Sequence, residues 1–347
     1  MHAPRPPLLI IYTGGTLGMV ETPQGLAPGG DFEPRLREAL NRLPPARRAS
    51  LPDFDFIATP SPIDSSGATP ADWQDLASLV DQHQQAYSGI VILHGTDTLS
   101  WTASSLAFQL QGIDKPVVVT GAMHPLEAEG SDALDNVEGA LRFAALPDLQ
   151  EVALYFAGRL LRGVRARKWN TQAEDAFISP NHPPLGERVD DAPVLYPGRG
   201  LAEHQRGTRR FELPDYRALG PSPVVRTALW PGITAAQLGA LLLDDRVKGA
   251  LLEVWGGGNI ADDPALVEVL AQARGEGKLV TAISQCPEGR IDIGAYAAGQ
   301  GLAQAEVLAG DDMTPEAVMT KLIHLLAQPL SDEDRRRHFL TSLVGER

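Results

Sequence analysis

The chain has 347 residues, 43% of them hydrophobic, with 30 basic against 44 acidic side chains and a net charge of −14. That length and apolar content are enough for two cores, and so for two domains. So acidic a surface disfavours nucleic acid and anionic membrane as partners, and with no apolar run of about 18 residues no membrane span is expected.

The N-terminus, Met1-His-Ala-Pro-Arg-Pro-Pro-Leu8, runs almost directly into an apolar stretch. A signal peptide is therefore not expected, and a cytoplasmic location is. Residues 8–12 are continuous, apolar and partly β-branched, which predicts a buried strand. It ends in Thr13-Gly-Gly-Thr16. Gly14 and Gly15 permit a sharp turn, and Thr16 then sits at the strand's carboxyl end, where open parallel sheets bind ligands. The turn has neither the G-x-G-x-x-G spacing of a dinucleotide site nor the Gly-Lys-Ser/Thr ending of a P-loop. Alone, it fits a tight strand exit as well as a reactive hydroxyl.

Residues 21–30 read as a loop, either a lid over a site or a plain surface connection. A helix is expected over 32–43 and a strand over 54–59, followed by the polar loop Ser61-Pro-Ile-Asp-Ser-Ser-Gly67. Thr69 as cap, Pro70 at the first position and Asp72 in the first turn start a helix that runs to about Tyr87. Residues 89–94 form a second buried strand, ending in Gly95-Thr-Asp-Thr-Leu-Ser100 and a helix over 101–110. A third, over 116–120, ends in Gly121-Ala-Met-His124, with a helix over 132–143 and a strand over 152–156 behind it. Apolar strands alternating with helices indicate a parallel α/β sheet. Three strand ends rich in small polar residues then lie along one edge.

Residues 159–171 hold Arg159, Arg162, Arg165, Arg167 and Lys168. Solvated loop charge is the plain expectation for the arginines. Residues 181–223, rich in Pro, Gly and charge, read as a connection. The second half repeats the alternation, with strands over 224–229, 249–254 and 279–283 and helices over 235–243, 264–274, 314–327 and 332–343. The expected organisation is a large N-terminal α/β domain with a mostly parallel sheet (1–195), a linker (196–222) and a smaller parallel-sheet α/β domain (223–347).

No metal pattern is present: His83, His94, His124, His182 and His204 lack ligand spacing. His94, at a strand end, is expected to be a hydrogen-bonded structural histidine. Cys286, the sole cysteine, excludes an internal disulfide and is expected to be a buried thiol. Threonine chemistry remains. A threonine hydroxyl needs a group to remove its proton. Gly95-Thr96-Asp97 puts a second threonine beside a carboxylate, and Lys168 is the candidate base. Thr-Asp-Lys shares the logic of a serine-hydrolase triad.

Thr13-Gly-Gly-Thr-Leu-Gly-Met19 together with Val91-Ile-Leu-His-Gly-Thr-Asp-Thr-Leu99 resembles the two signature motifs of the bacterial-type L-asparaginases, and the direct start resembles the cytoplasmic, type I branch. The likeness extends through Asp64-Ser-Ser66, Thr120-Gly-Ala122, Trp255-Gly-Gly-Gly-Asn259 and Asp312-Met-Thr-Pro-Glu316. It implies a two-domain α/β fold and hydrolysis of the asparagine side-chain amide to aspartate and ammonia, without metal or cofactor. It implies Thr16 as nucleophile and Thr96, Asp97 and Lys168 as a second triad. Ser65 and Ser66 match the loop that holds the substrate's α-groups, with Asp97 also facing the amino group. Backbone N–H groups near Thr96 and Ala122 would stabilise the oxyanion, and Gly95 is a further implied substrate-binding residue. The implied partner is a small amino-acid amide, and the implied assembly a homodimer or homotetramer. A mixed asparaginase–glutaminase and a non-catalytic asparagine sensor on the same fold are the alternatives.

The chain departs from the family pattern at three places. Leu26 stands where the type I branch commonly has a tyrosine that contacts the nucleophile, and leucine neither relays a proton nor donates a hydrogen bond. Activation of Thr16 then falls to Lys168 and water, or to another tyrosine. Ala166 and Arg167 precede Lys168 in place of hydroxyl residues. Glu253 occupies the position of an arginine that some type I enzymes use to bind asparagine allosterically, and a carboxylate there repels the effector's own carboxylate. Initial-rate curves are therefore expected to be hyperbolic in asparagine; a sigmoidal curve together with a second bound asparagine contradicts this.

Overall fold

The structure is a computed structural model and describes residues 5–207, 209, 213–294 and 299–347. The chain divides into two compact units, Met1–Leu213 and Pro214–Arg347. Residues 208 and 210–212 of the expected linker lie outside the described residues.

In the first unit, β1 (Leu8–Tyr12) leads through the Thr16 turn into β2 (Met19–Thr22) and β3 (Gly25–Pro28), then α1 (Phe32–Asn41), α2 (Pro45–Ala49) and β4 (Phe54–Ala58). There follow α3 (Pro70–His83), β5 (Ile90–Leu93), α4 (Leu99–Gln109), β6 (Val117–Thr120), α5 (Ala133–Ala144) and β7 (Val152–Phe156). The unit closes with β8 (Arg159–Arg162), β9 (Arg167–Lys168), β10 (Phe177–Ile178), β11 (Gly186–Val189) and β12 (Ala192–Leu195). Among the described residues the main sheet has the order β12-β11-β8-β7-β6-β5-β1-β4. Pairing is parallel from β4 to β7 and antiparallel from β7 to β12.

The central strands are apolar because both their faces are covered. Ile10, Val91, Leu93 and Val118 pack with Leu36 of α1 and with Val137, Ala140 and Leu141 of α5. The alternate residues Leu9, Ile11, Ile92 and Val119 are equally buried, and α3 and α4 pack together among the elements beyond that face. α3 begins as its sequence dictates: the Asp72 carboxylate accepts from both the backbone N–H and the hydroxyl of Thr69.

Several expectations need correction. Residues 21–28 of the expected loop over 21–30 belong instead to the β2–β3 hairpin, in which the Thr22 hydroxyl donates to Gly25 O at 2.7 Å and so closes the Pro23-Gln24 turn. Within the expected connection over 181–223, β11 and β12 extend the main sheet instead. Asp190 and Asp191 both adopt positive φ in their turn (47° and 63°), where the short side chain of aspartate is tolerated. The arginines of 159–171 are not simply solvated. Ala157 and Gly158 turn the chain back (φ 46° and 82°), β8 enters the sheet, and Arg162 and Arg165 become 6% and 4% exposed. Arg162 donates to Glu151 at 2.8 Å, to Arg199 O at 2.8 Å and to His182 Nε2 at 3.3 Å. Cys286 is exposed, not buried.

The second unit holds β13 (Val224–Ala228), α6 (Ala235–Leu242), β14 (Gly249–Val254), α7 (Pro264–Gly275), β15 (Leu279–Ser284), α8 (Gln300–Gln304), β16 (Leu308–Ala309), α9 (Pro315–Leu326) and α10 (Asp332–Leu340). Its sheet, β13-β14-β15-β16, is parallel throughout. Leu238, Leu252, Leu270 and Val280 are members of its core. Glu253 accepts from Arg226 Nε of the neighbouring strand at 2.5 Å, so its carboxylate has a fixed partner.

His94 and His182 both titrate below the ordinary 6.5, His182 at about 4, with burial the main cause and the Arg162 charge adding to it for His182. Each takes up a proton more readily when unfolded. Their contribution to stability is thus complete above pH 6.5 and lost as the pH falls toward the folded value. Unfolding free energy is expected to fall on acidification below about pH 6.5, by at most about 1.4 kcal/mol per pH unit from each histidine. Denaturant titrations should show a shallower acid slope for His182→Asn; an unchanged slope contradicts this assignment.

Candidate active site

β1 and β5 are parallel neighbours with Tyr12 opposite Leu93, so the residues just past each strand meet. Thr13 donates from its N–H and its hydroxyl to Leu93 O, at 2.9 and 3.0 Å. Gly15, at φ 96°, lies against Gly95 so tightly that a Cβ on it would be 2.6 Å from both Gly95 Cα and Gly95 N. A Cβ on Gly95 would in turn be 2.4 Å from Ser65 Oγ. No residue with a side chain fits either position.

The loop after β4 joins this contact. Ile63 N–H donates to Thr13 O at 2.6 Å, and the Thr98 hydroxyl donates to Ser65 O at 2.7 Å. Asp64 accepts from Ser66 N–H at 3.0 Å, which shapes the short turn over Ser65–Gly67. Ser65 is buried and Ser66 exposed. A Cβ on Gly121 would be 2.4 Å from His94 O and 3.5 Å from the Thr96 methyl. Ala122, next in sequence and buried, thus follows a residue that abuts the Thr96 turn. Four strand-end turns converge, and Thr16, Ser65, Thr96 and Ala122 lie on them.

Lys168 arrives from a different structure. β9 pairs antiparallel with β10, Lys168 opposite Phe177, and Trp169 N–H donates to Ala176 O at 2.7 Å. This ribbon brings Lys168 Nζ to 2.9 Å from Thr96 Oγ1 and 2.8 Å from Asp97 Oδ1. The lysine side chain is 19% exposed and the aspartate 62%. A lysine held this way donates to the threonine oxygen and leaves the threonine's own proton free to move toward a neighbour. Thr16 opens a 3-10 turn, Thr16–Gly18, and is half-buried. Tyr12 presses a phenol against that turn: a Cβ on Gly18 would be 1.9 Å from the Tyr12 hydroxyl oxygen. Leu26, on β3, is 50% exposed.

His94 is a structural histidine. It is 1% exposed, its Nδ1 lies 2.8 Å from Gly95 O, and its Nε2 lies 3.1 Å from the Thr102 hydroxyl. Among the described residues no group of three or more His, Cys, Asp and Glu side chains is arranged to hold a metal.

Sequence reasoning missed the support behind Ala122. The Asp132 carboxylate accepts from Met123 N–H (2.9 Å) and His124 N–H (3.0 Å), while Asn136 Nδ2 donates to Gly121 O at 3.1 Å. The i,i+4 spacing of Asp132 and Asn136 at a helix start was the available signal.

Two stretches of the chain match family descriptions: residues 7–198 match "Asparaginase, N-terminal" and residues 224–339 match "Glutaminase/Asparaginase C-terminal domain". The chain is 37% identical to the L-asparaginase 1 of Escherichia coli K12 over 98% of its own length and 97% of that protein. It is 35% identical to a mouse protein named 60 kDa lysophospholipase, over 99% of its own length and 63% of that protein. The crystal structure of L-asparaginase I from Vibrio cholerae superposes with a TM-score of 0.87 at 36% identity, covering 99% of both chains.

Gly15→Ala is expected to destabilise the first unit by about 1–3 kcal/mol from the backbone conformation alone, with the contact on Gly95 adding to that. Gly30→Ala, which meets nothing within 4 Å, should stay within about 0.5 kcal/mol of the parent. Equal denaturation midpoints for the two variants would contradict the close approach.

Proposed function

This chain belongs to the asparaginase family, and we propose from that premise that it hydrolyses the side-chain amide of L-asparagine to aspartate and ammonia through an acyl-enzyme on Thr16. The observation that carries the mechanism is the placement of Lys168 Nζ between Thr96 Oγ1 and Asp97 Oδ1, in the cluster where Gly15 and Gly95 touch.

In this reading Thr16 Oγ attacks the amide carbon, and the hydroxyl proton goes to the departing nitrogen, which leaves as ammonia. Backbone N–H groups near Thr96 and Ala122 receive the oxyanion. Water then attacks the Thr16 ester, its proton passing through Thr96 to Lys168 in the neutral amine form, and Lys168 returns a proton by the same path to Thr16 Oγ as aspartate leaves. Asp97 fixes the lysine. Ser65, Ser66 and Asp97 hold the substrate's α-amino and α-carboxylate groups. With leucine at position 26, the proton path from Thr16 runs through Lys168 and water. Side chains, backbone and water supply every step written here. A cytoplasmic homodimer or homotetramer is the setting the family resemblance favours.

Ammonia release from asparagine is expected to fall by about a thousandfold or more in kcat/KM for Thr16→Ala, and by about 10²- to 10⁴-fold in Lys168→Met and Thr96→Val. Parental activity in Thr16→Ala contradicts the mechanism. Glutamine differs by one methylene, so a pocket shaped for asparagine should disfavour it by about 10- to 200-fold. Equal rates on both amides point to a mixed activity, and tight asparagine binding without ammonia to a sensor.

A further inference from the structure

We infer that Arg35 and Glu127 form a clamp that locks the Thr16 turn, the base of the β2–β3 hairpin and the loop after β6 into one register, and that Arg35 is a positioning residue for the reaction. The second half of this statement rests on the function proposed above.

Arg35, on α1, donates from Nε to Glu127 Oε1 at 2.6 Å and from Nη2 to Glu127 Oε2 at 2.5 Å. Nη1 of the same guanidinium donates to Gly18 O at 3.0 Å, and Nη2 reaches Met19 O at 3.4 Å. One planar group thus ties the last residue of the Thr16 turn and the first of β2 to a carboxylate on the loop that carries Ala122. Two backbone bonds close the arrangement. Leu126 N–H donates to Leu17 O at 3.0 Å, and Gly29 N–H donates to Gly18 O at 3.1 Å. Gly29 makes the slot, since a Cβ there would be 2.5 Å from Arg35 Nη1.

An ion pair whose carboxylate is 51% exposed contributes little stability by itself. The forked geometry matters more: a lysine has no planar fork with which to serve two carbonyls and both carboxylate oxygens at once. The far end of the hairpin is free by contrast. Gly25 has no heavy atom near its missing side chain, and Leu26 is half exposed. The clamp therefore fixes the base, where Thr16 is aimed, and leaves the tip able to move. A misplacement of about 1 Å in such a turn costs on the order of 100-fold in rate.

The test uses the full chain and Arg35→Ala, Arg35→Lys and Glu127→Gln, read by hydrogen exchange and by steady-state ammonia release from asparagine. Exchange should rise in peptides covering residues 16–29 and 122–130 and stay unchanged at Ile90–Leu93. The value of kcat should fall about ten- to a hundredfold, with KM moving less than about threefold. Arg35→Lys should not recover kcat, whereas millimolar guanidinium added to Arg35→Ala should recover part of it. Unchanged exchange overturns the clamp. Raised exchange with unchanged kcat, or full recovery by lysine, overturns the positioning role. A parent that releases no ammonia overturns the proposed function and the positioning role with it, while the exchange result still decides the clamp.

Discussion

The contact between Gly15 and Gly95 is the constraint on which the rest of the site depends. Two parallel strands end side by side, and their exit turns touch backbone to backbone with no room for a methyl group. Because neither residue has a side chain, the two threonines that follow them can occupy one small volume. Ser65 fills the remaining space beside Gly95. The site is a consequence of strand adjacency: a parallel sheet delivers its carboxyl ends to one edge, and small residues let those ends close up.

The positive charge of this cluster comes from outside the parallel sheet. Lys168 is carried by the short β9–β10 ribbon, which follows the antiparallel strand β8. β8 itself is anchored by the buried pair Arg162–Glu151, 7% and 4% exposed. Removing one partner of such a pair leaves an uncompensated buried charge, a loss of about 3–5 kcal/mol, whereas the intact pair adds little net stability. Its role is better understood as fixing where β8 ends, and hence where Lys168 begins. Asp132 and Asn136 do the same for the backbone on either side of Ala122, Asp132 by accepting from Met123 and His124 N–H and Asn136 by donating to Gly121 O. Arg35 and Glu127 extend this support to the Thr16 turn. Each reactive group is held by a polar side chain that takes no part in bond making.

The central parallel strands β1, β5, β6 and β7 were legible in the sequence because both their faces are buried, which writes them as nearly unbroken apolar runs. Thr16 and Thr96 were legible because each follows such a run through a glycine. The hairpins were harder to see. β2–β3 turns at Pro23-Gln24, with Gly25 (φ 107°) only after the two turn residues, and β11–β12 turns at Asp190-Asp191 with both aspartates at positive φ, so neither has a glycine at its two central turn positions. Arg162 read as loop charge because its carboxylate partner lies on the far side of a chain reversal. Arg35 and Glu127 lie 92 positions apart, and no local pattern links them. Sequence periodicity records burial along one element; the polar partners that aim the site come from elsewhere in the chain.

The central claim is that Thr16 carries the acyl group. It is tested most directly by rapid-quench mass spectrometry of the parent and of Thr16→Ala mixed with asparagine, followed by peptide mapping. Within the first turnover an aspartyl ester is expected on the parent's peptide containing Thr16 and is expected to be absent in Thr16→Ala. An aspartyl adduct on the peptide containing Val91–Leu99, with Thr16 unmodified, would contradict the account.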